Sequence, residues 1–181
     1  MIIAGIDEAG LGPALGPLCT CGAAFRLPPG ADAAAPWRFF SDILGREKKS
    51  GLPLVNDSKV VHAACGLAGL ELPVLAFMQA HRRDADLPPD RAAFLRALGC
   101  PLLGADQAPW HAADWQFPAA AEAGAVSALA ARLRAVPEAR LLAFSARVRT
   151  AKALNREFAS GRNKAEGIFT PRFWPTFSRA R

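Results

Sequence analysis

The chain has no tyrosine, only three histidines and four cysteines in 181 residues, and each shortage excludes something. Cys19, Cys21, Cys65 and Cys100 form no CxxC pair, which argues against a structural zinc site. His62, His81 and His111 are scattered and read as surface or core residues, with only His62 placed one helical turn past a motif described below. No run reaches the roughly 18 apolar residues of a membrane span, because Gly, Pro or charge interrupts each candidate. A basic and then apolar leader is missing as well, since Asp7 and Glu8 follow the start at once. A cytoplasmic protein with no membrane partner is the expectation. There is no internal repeat or heptad, and beyond Arg140 the only acids are Glu157 and Glu166.

What is present fits one soluble domain: 51% of the residues are hydrophobic, enough for a core at this length. The net charge of +6 is unevenly spread. Residues 145–181 hold nine Lys or Arg against two acids, whereas the remainder holds thirteen against fourteen. This basic third could follow a phosphate backbone, with Phe173, Trp174 and Phe177 available for base stacking. A solvated basic face is the competing reading.

The densest signal is Gly5-Ile6-Asp7-Glu8-Ala9-Gly10-Leu11-Gly12-Pro13-Ala14-Leu15-Gly16-Pro17-Leu18. Met1–Ile6 is short, apolar and β-branched, so it reads as a strand delivering Asp7 and Glu8 at its carboxyl end. Successive strand residues point to opposite faces, so the two acids share a site only if the strand ends or twists between them. Gly10, Gly12 and Gly16 leave room for a phosphate or ribose against the main chain. The spacing is neither that of a P-loop nor of a dinucleotide fold. Two carboxylates beside a phosphate-sized gap suit Mg²⁺ or Mn²⁺, which take oxygen ligands. A charged hairpin turn with glycines for geometry is the plainer alternative.

Along the chain, strands are expected near 1–7 and 18–27, joined as an antiparallel hairpin, with Cys19 and Cys21 on one side and packed in the core. Residues 31–54 read as irregular, anchored by Trp37, Phe39 and Phe40, with an exposed turn at Lys48–Gly51. Residues 57–80 read as helical with a kink at Pro73, and 119–136 as an alanine-rich helix whose Val126, Leu129 and Leu133 pack on a sheet. Between them, 90–98 is a short helix. Residues 141–150 read as a strand and 151–160 as a helix with Leu154 and Phe158 four apart. Asp57 or Ser58 could cap the helix that starts there, and Lys59 could pair with a phosphate.

The Asp7–Pro17 run resembles the first motif of the type 2 ribonucleases H (ribonuclease HII and HIII), approximately D-E-A-G-R-G-P-L-A-G-P-V. Asp7, Glu8, Ala9, Gly10, Gly12, Pro13, Gly16 and Pro17 match it in register, and Asp57-Ser58-Lys59 matches the family's D-S-K element. Leu11 departs from the pattern, standing where the family carries an arginine. The resemblance implies an α/β fold with a ribonuclease H-like mixed sheet flanked by helices. It also implies metal ligation and catalysis by Asp7 and Glu8, and substrate contacts from Gly10, Leu11, Gly12, Ser58 and Lys59. Two ions about 4 Å apart would serve phosphodiester hydrolysis, and the 2′-hydroxyl would mark RNA.

The family completes its site with two later aspartates that have no counterpart here in a similar context. The domain is therefore expected to be short of its last strand and helices. Asp84, Asp86, Asp90, Asp106 and Asp114 remain as substitutes, though they read as solvated loop residues. A single domain over residues 1–168 is expected, with an insertion at about 82–118 and a basic aromatic tail over 169–181. The implied protein is a monomeric, metal-dependent endoribonuclease acting on RNA–DNA hybrids or on ribonucleotide-containing duplexes. A non-catalytic nucleic-acid-binding relative is the first alternative. A nucleotide phosphohydrolase using Asp7 as metal ligand is the second.

Overall fold

The computed structural model describes residues 1–9, 17–82, 86–100 and 115–161. It is an α/β arrangement. Strands β1 (Ile2–Ala9), β2 (Leu18–Arg26) and β3 (Arg140–Arg149) form an open sheet in that spatial order. Among the described residues every strand pair is antiparallel, where a mixed sheet was expected. The opening hairpin is present, running from Ile2 opposite Arg26 to Ala9 opposite Cys19. Met1 and Leu27 close its far end by reciprocal main-chain hydrogen bonds of 2.7 and 2.8 Å. The β2–β3 register shifts between Ala24 and Phe25, so that β3 accommodates Leu142 as an extra residue.

The central strand β2 buries Leu18, Thr20 and Ala24, whereas β1 is an edge strand exposed along nearly all its length. Only Ile3 of β1 packs against the core. That core is built on Phe25, Phe40 and Phe77, whose ring centroids lie 5.6–6.1 Å apart in edge-to-face contacts, the preferred aromatic geometry.

Five helices complete the described residues: α1 (Ala35–Phe39), α2 (Ser58–Arg82), α3 (Arg91–Ala97), α4 (Ala123–Arg134) and α5 (Ala151–Ala159). The segment 31–54 is thus not wholly irregular. Pro36 in the first turn of α1 starts a helix too short to show a period. The turn at Lys48–Ser50 is a 3-10 turn, ended by Gly51 at φ 67°. Helix α2 does break, but at Gly66 rather than Pro73. Gly66 has φ 64° and ψ −158°, a region essentially reserved for glycine. Gly69 then lets the chain close on itself, since a Cβ there would lie 2.3 Å from the Cys65 Cβ.

The expected helix at 119–136 begins only at Ala123. Glu71 is buried and accepts hydrogen bonds from the Ala119, Ala120 and Ala121 amides, each at 2.7 Å. Those residues are held as a carboxylate-binding loop. Val126, Leu129 and Leu133 are buried as expected, but the main partner of α4 is α2 rather than the sheet. By length and composition α2 is apolar enough to cross a membrane, although Gly66, Gly69, Glu71 and Pro73 interrupt its apolar run. Here it packs against α4 and β3.

Within the expected insertion, Asp90 caps α3 by accepting from the Ala93 amide at 2.7 Å, and Phe94 stacks on Phe117 at 4.6 Å. Asp84, Asp106, Asp114 and the 169–181 tail lie outside the described residues.

Candidate metal and nucleic-acid site

Strand β1 does not end between the two acids: it runs on through Ala9, with Asp7 opposite Cys21 and Glu8 opposite Thr20. Their side chains therefore leave opposite faces of the sheet. Counting from the hydrogen-bonded Met1–Leu27 pair, alternate residues of β1 bond to β2, which includes Asp7 and leaves the Glu8 amide on the open edge. The Asp7 Oδ1 accepts from that amide at 2.9 Å. The edge amide is satisfied by the carboxylate next to it, and both acids remain exposed.

The two faces differ. Asp7 shares its face with Cys21 and Ala146, and one step along with Cys19 and Val148. Cys19 and Cys21 are on one side, as expected, but neither is packed in the core: Cys19 is half-buried and Cys21 is exposed at the sheet surface. Cys100 lies near this pair: the Val148 amide would favour its thiolate and its charge would be felt by Cys19. Burial pushes all three thiols up, Cys21 to about 11 with further contributions from Cys19 and Asp7. They are protonated, poorly nucleophilic groups at neutral pH.

On the other face, Glu8, Thr20 and Arg147 form one row across the three strands. Two strand spacings separate the carboxylate strand from the arginine strand, about 10 Å. Arg147 reaches the Gly99 carbonyl at 3.5 Å, and Arg149 on the same face pairs with Glu157 at 2.8 Å. This carboxylate–hydroxyl–guanidinium row escaped sequence reasoning. Its only signal is a period-two register that requires knowing how β2 pairs with β3.

Gly10, Leu11 and Gly12 lie outside the described residues. At the second motif, Asp57 caps α2, its Oδ1 accepting from the Lys59 amide at 2.8 Å, while Asn56 Oδ1 accepts from the Asp57 amide at 2.7 Å. The cap is thus Asp57 rather than Ser58. Ser58, Lys59 and His62 are exposed. No hydrogen bond or ion pair among the described residues joins this helix start to Asp7 or Glu8.

Mg²⁺ keeps several waters and takes one or two carboxylates plus substrate phosphate. Asp7 fits that role, exposed and with one oxygen beyond the Glu8 amide contact. Glu8 offers an exposed carboxylate to the other face. Among the described residues no group of three or more His, Cys, Asp or Glu could hold a metal. Of the candidate substitutes, Asp90 is committed to its cap and Asp86 is exposed.

The chain matches no protein-family model, no curated protein and no solved structure.

Proposed function

We propose that this chain is a ribonuclease H-like, metal-dependent endoribonuclease, hydrolysing the RNA strand of RNA–DNA hybrids or cutting at ribonucleotides in DNA. The observation that carries the reading is the exposed Asp7–Glu8 pair on an open sheet edge, immediately before the glycine-rich run 10–16. Asp7 would hold Mg²⁺ or Mn²⁺ through the carboxylate oxygen not used by the Glu8 amide. A divalent ion there supplies Lewis-acid polarisation of a phosphodiester oxygen and a nucleophilic water. Lys59, exposed in the first turn of α2, offers a point charge to a phosphate. Glycines carry no side chain, so the run 10–16 would let a ribose approach main-chain amides, where a 2′-hydroxyl is distinguishable from hydrogen. In this reading the protein works as a cytoplasmic monomer.

A second reading, a non-catalytic binder of nucleic acid, is favoured by one observation: Asp7 and Glu8 face opposite sides of β1. Incubation of an end-labelled RNA–DNA hybrid with the protein and Mg²⁺ or Mn²⁺ separates the two. The nuclease yields shortened RNA that chelation of the metal prevents. Retained hybrid with intact RNA marks the binder.

A further inference from the structure

We propose that the cavity where α2, α4 and β3 meet is a binding site for a small organic anion, with a phosphate or carboxylate head and an apolar body. The cavity measures about 490 Å³, within the roughly 300–1,000 Å³ of small-molecule sites. His81 from α2, Arg134 at the end of α4 and Arg140 at the start of β3 line it, and among the described residues no acid does. The His81 Nδ1 lies 3.1 Å from the Leu141 carbonyl. A carbonyl only accepts, so Nδ1 carries a proton, and Nε2 of the neutral ring is then an acceptor suited to a ligand hydroxyl, which leaves the anionic head to the arginines.

Phe40, Phe77 and Leu141 give the same cavity apolar surface. The same three residues bound a second cavity of about 280 Å³, lined by no charged residue among those described. A polar compartment backed by an apolar one matches a ligand with a charged end and a hydrocarbon or aromatic end.

Basic residues in the last turns of α2 and α4 have an ordinary role, since they offset the partial negative charge of helix C-termini. Arg140 does not fall under it. It lies on a strand, directly opposite Arg26, and like charges facing each other across a ladder are unfavourable. An anion beside Arg140 offsets that repulsion. Arg134 already has an interaction within the fold, and Arg140 is the arginine that the helix-end role does not account for, so it is the residue at which recognition is tested.

The site is separate from the acidic pair. Arg140 pairs with Arg26 and Arg26 with Ile2, six residues from Glu8 along β1, or about 20 Å at strand spacing.

Isothermal titration of the full chain tests the proposal with two probes of the same body and different heads, phenyl phosphate and 3-phenylpropionate. Inorganic phosphate and benzyl alcohol stand for the separate halves. At least one probe is expected to bind, with each half about tenfold weaker or more, and the preferred probe identifies the head group. Arg140→Gln, an exposed strand position, is expected to weaken that probe about tenfold, the loss of one charge-assisted hydrogen bond, and to leave hybrid cleavage unchanged. Binding of neither probe overturns the proposal. So does affinity indifferent to Arg140→Gln, or inorganic phosphate binding as tightly as phenyl phosphate.

Discussion

Asp7 serves the fold through one carboxylate oxygen, which satisfies the Glu8 amide on the open edge of β1. Asparagine retains that acceptor and loses only the charge, so Asp7→Asn is expected to keep wild-type stability in urea unfolding. Asp7→Ala leaves the edge amide to water and costs about 0.5–1.5 kcal/mol, the worth of one ordinary hydrogen bond. Glu71 is the more consequential acid for stability. Its buried carboxylate takes three amides, those of Ala119, Ala120 and Ala121. Removing it in Glu71→Ala strands those donors at about 1–3 kcal/mol apiece if they stay dry. A loss of roughly 3 kcal/mol or more is expected by urea titration, and a loss below about 1 kcal/mol would show that water replaces the carboxylate at little cost. Cys21 sets a pH dependence. Its thiol is held at about 11 against an ordinary 9.0, by burial first, so the folded state favours the protonated form. That stabilisation is complete below the ordinary value and is lost as pH rises through about 11. Unfolding free energy should therefore fall across this alkaline window, and fall less in Cys21→Ala.

At the scale of the element, Gly66 decides the course of α2. Its left-handed φ and extended ψ are strained for any side chain, so Gly66→Ala is expected to cost about 1–3 kcal/mol, read as a lowered urea midpoint. Elements defined by their own periodicity were legible in the sequence: the β1–β2 hairpin, β3, α3 and α5 all lie within a residue or two of their expected bounds. Features set by distant contacts were not. Pro73 is the stronger breaker on paper, yet the break falls at Gly66, where the backbone conformation demands glycine. The alanine-rich stretch at 119–121 has helical propensity, but a carboxylate 48 to 50 residues earlier claims its amides. The candidate site was legible to the same extent. Asp7 and Glu8 were evident as adjacent acids before a glycine-rich run. Which face each occupies depended on the strand continuing through Ala9, and the Glu8–Thr20–Arg147 row depended on strand pairing.

At the scale of the whole molecule, charge is segregated, with nine of the 22 basic residues and only two of the 16 acids lying in 145–181. Arg147 and Arg149 of that region stand on the sheet face that carries Glu8, and Lys152 and Arg156 follow on α5. Arg149 is already paired with Glu157, so only part of the nine is available. If roughly four basic residues of 145–181 neutralise phosphates, hybrid binding should weaken with salt at a log–log slope of about −3 to −4, measured by fluorescence anisotropy between low and physiological ionic strength. A flat response would remove the basic third from the interface. Binding alone does not separate a nuclease from a non-catalytic relative; the Asp7 carboxylate does. The decisive measurement is therefore the single-turnover cleavage rate of a duplex with one embedded ribonucleotide, in Mg²⁺ and in Mn²⁺, for the wild-type chain and Asp7→Asn. The account predicts metal-dependent cutting that falls by about a hundredfold or more in the variant, several kcal/mol of lost transition-state stabilisation, with duplex affinity retained. An intact duplex with the wild-type chain, or equal rates for the two proteins, would contradict it.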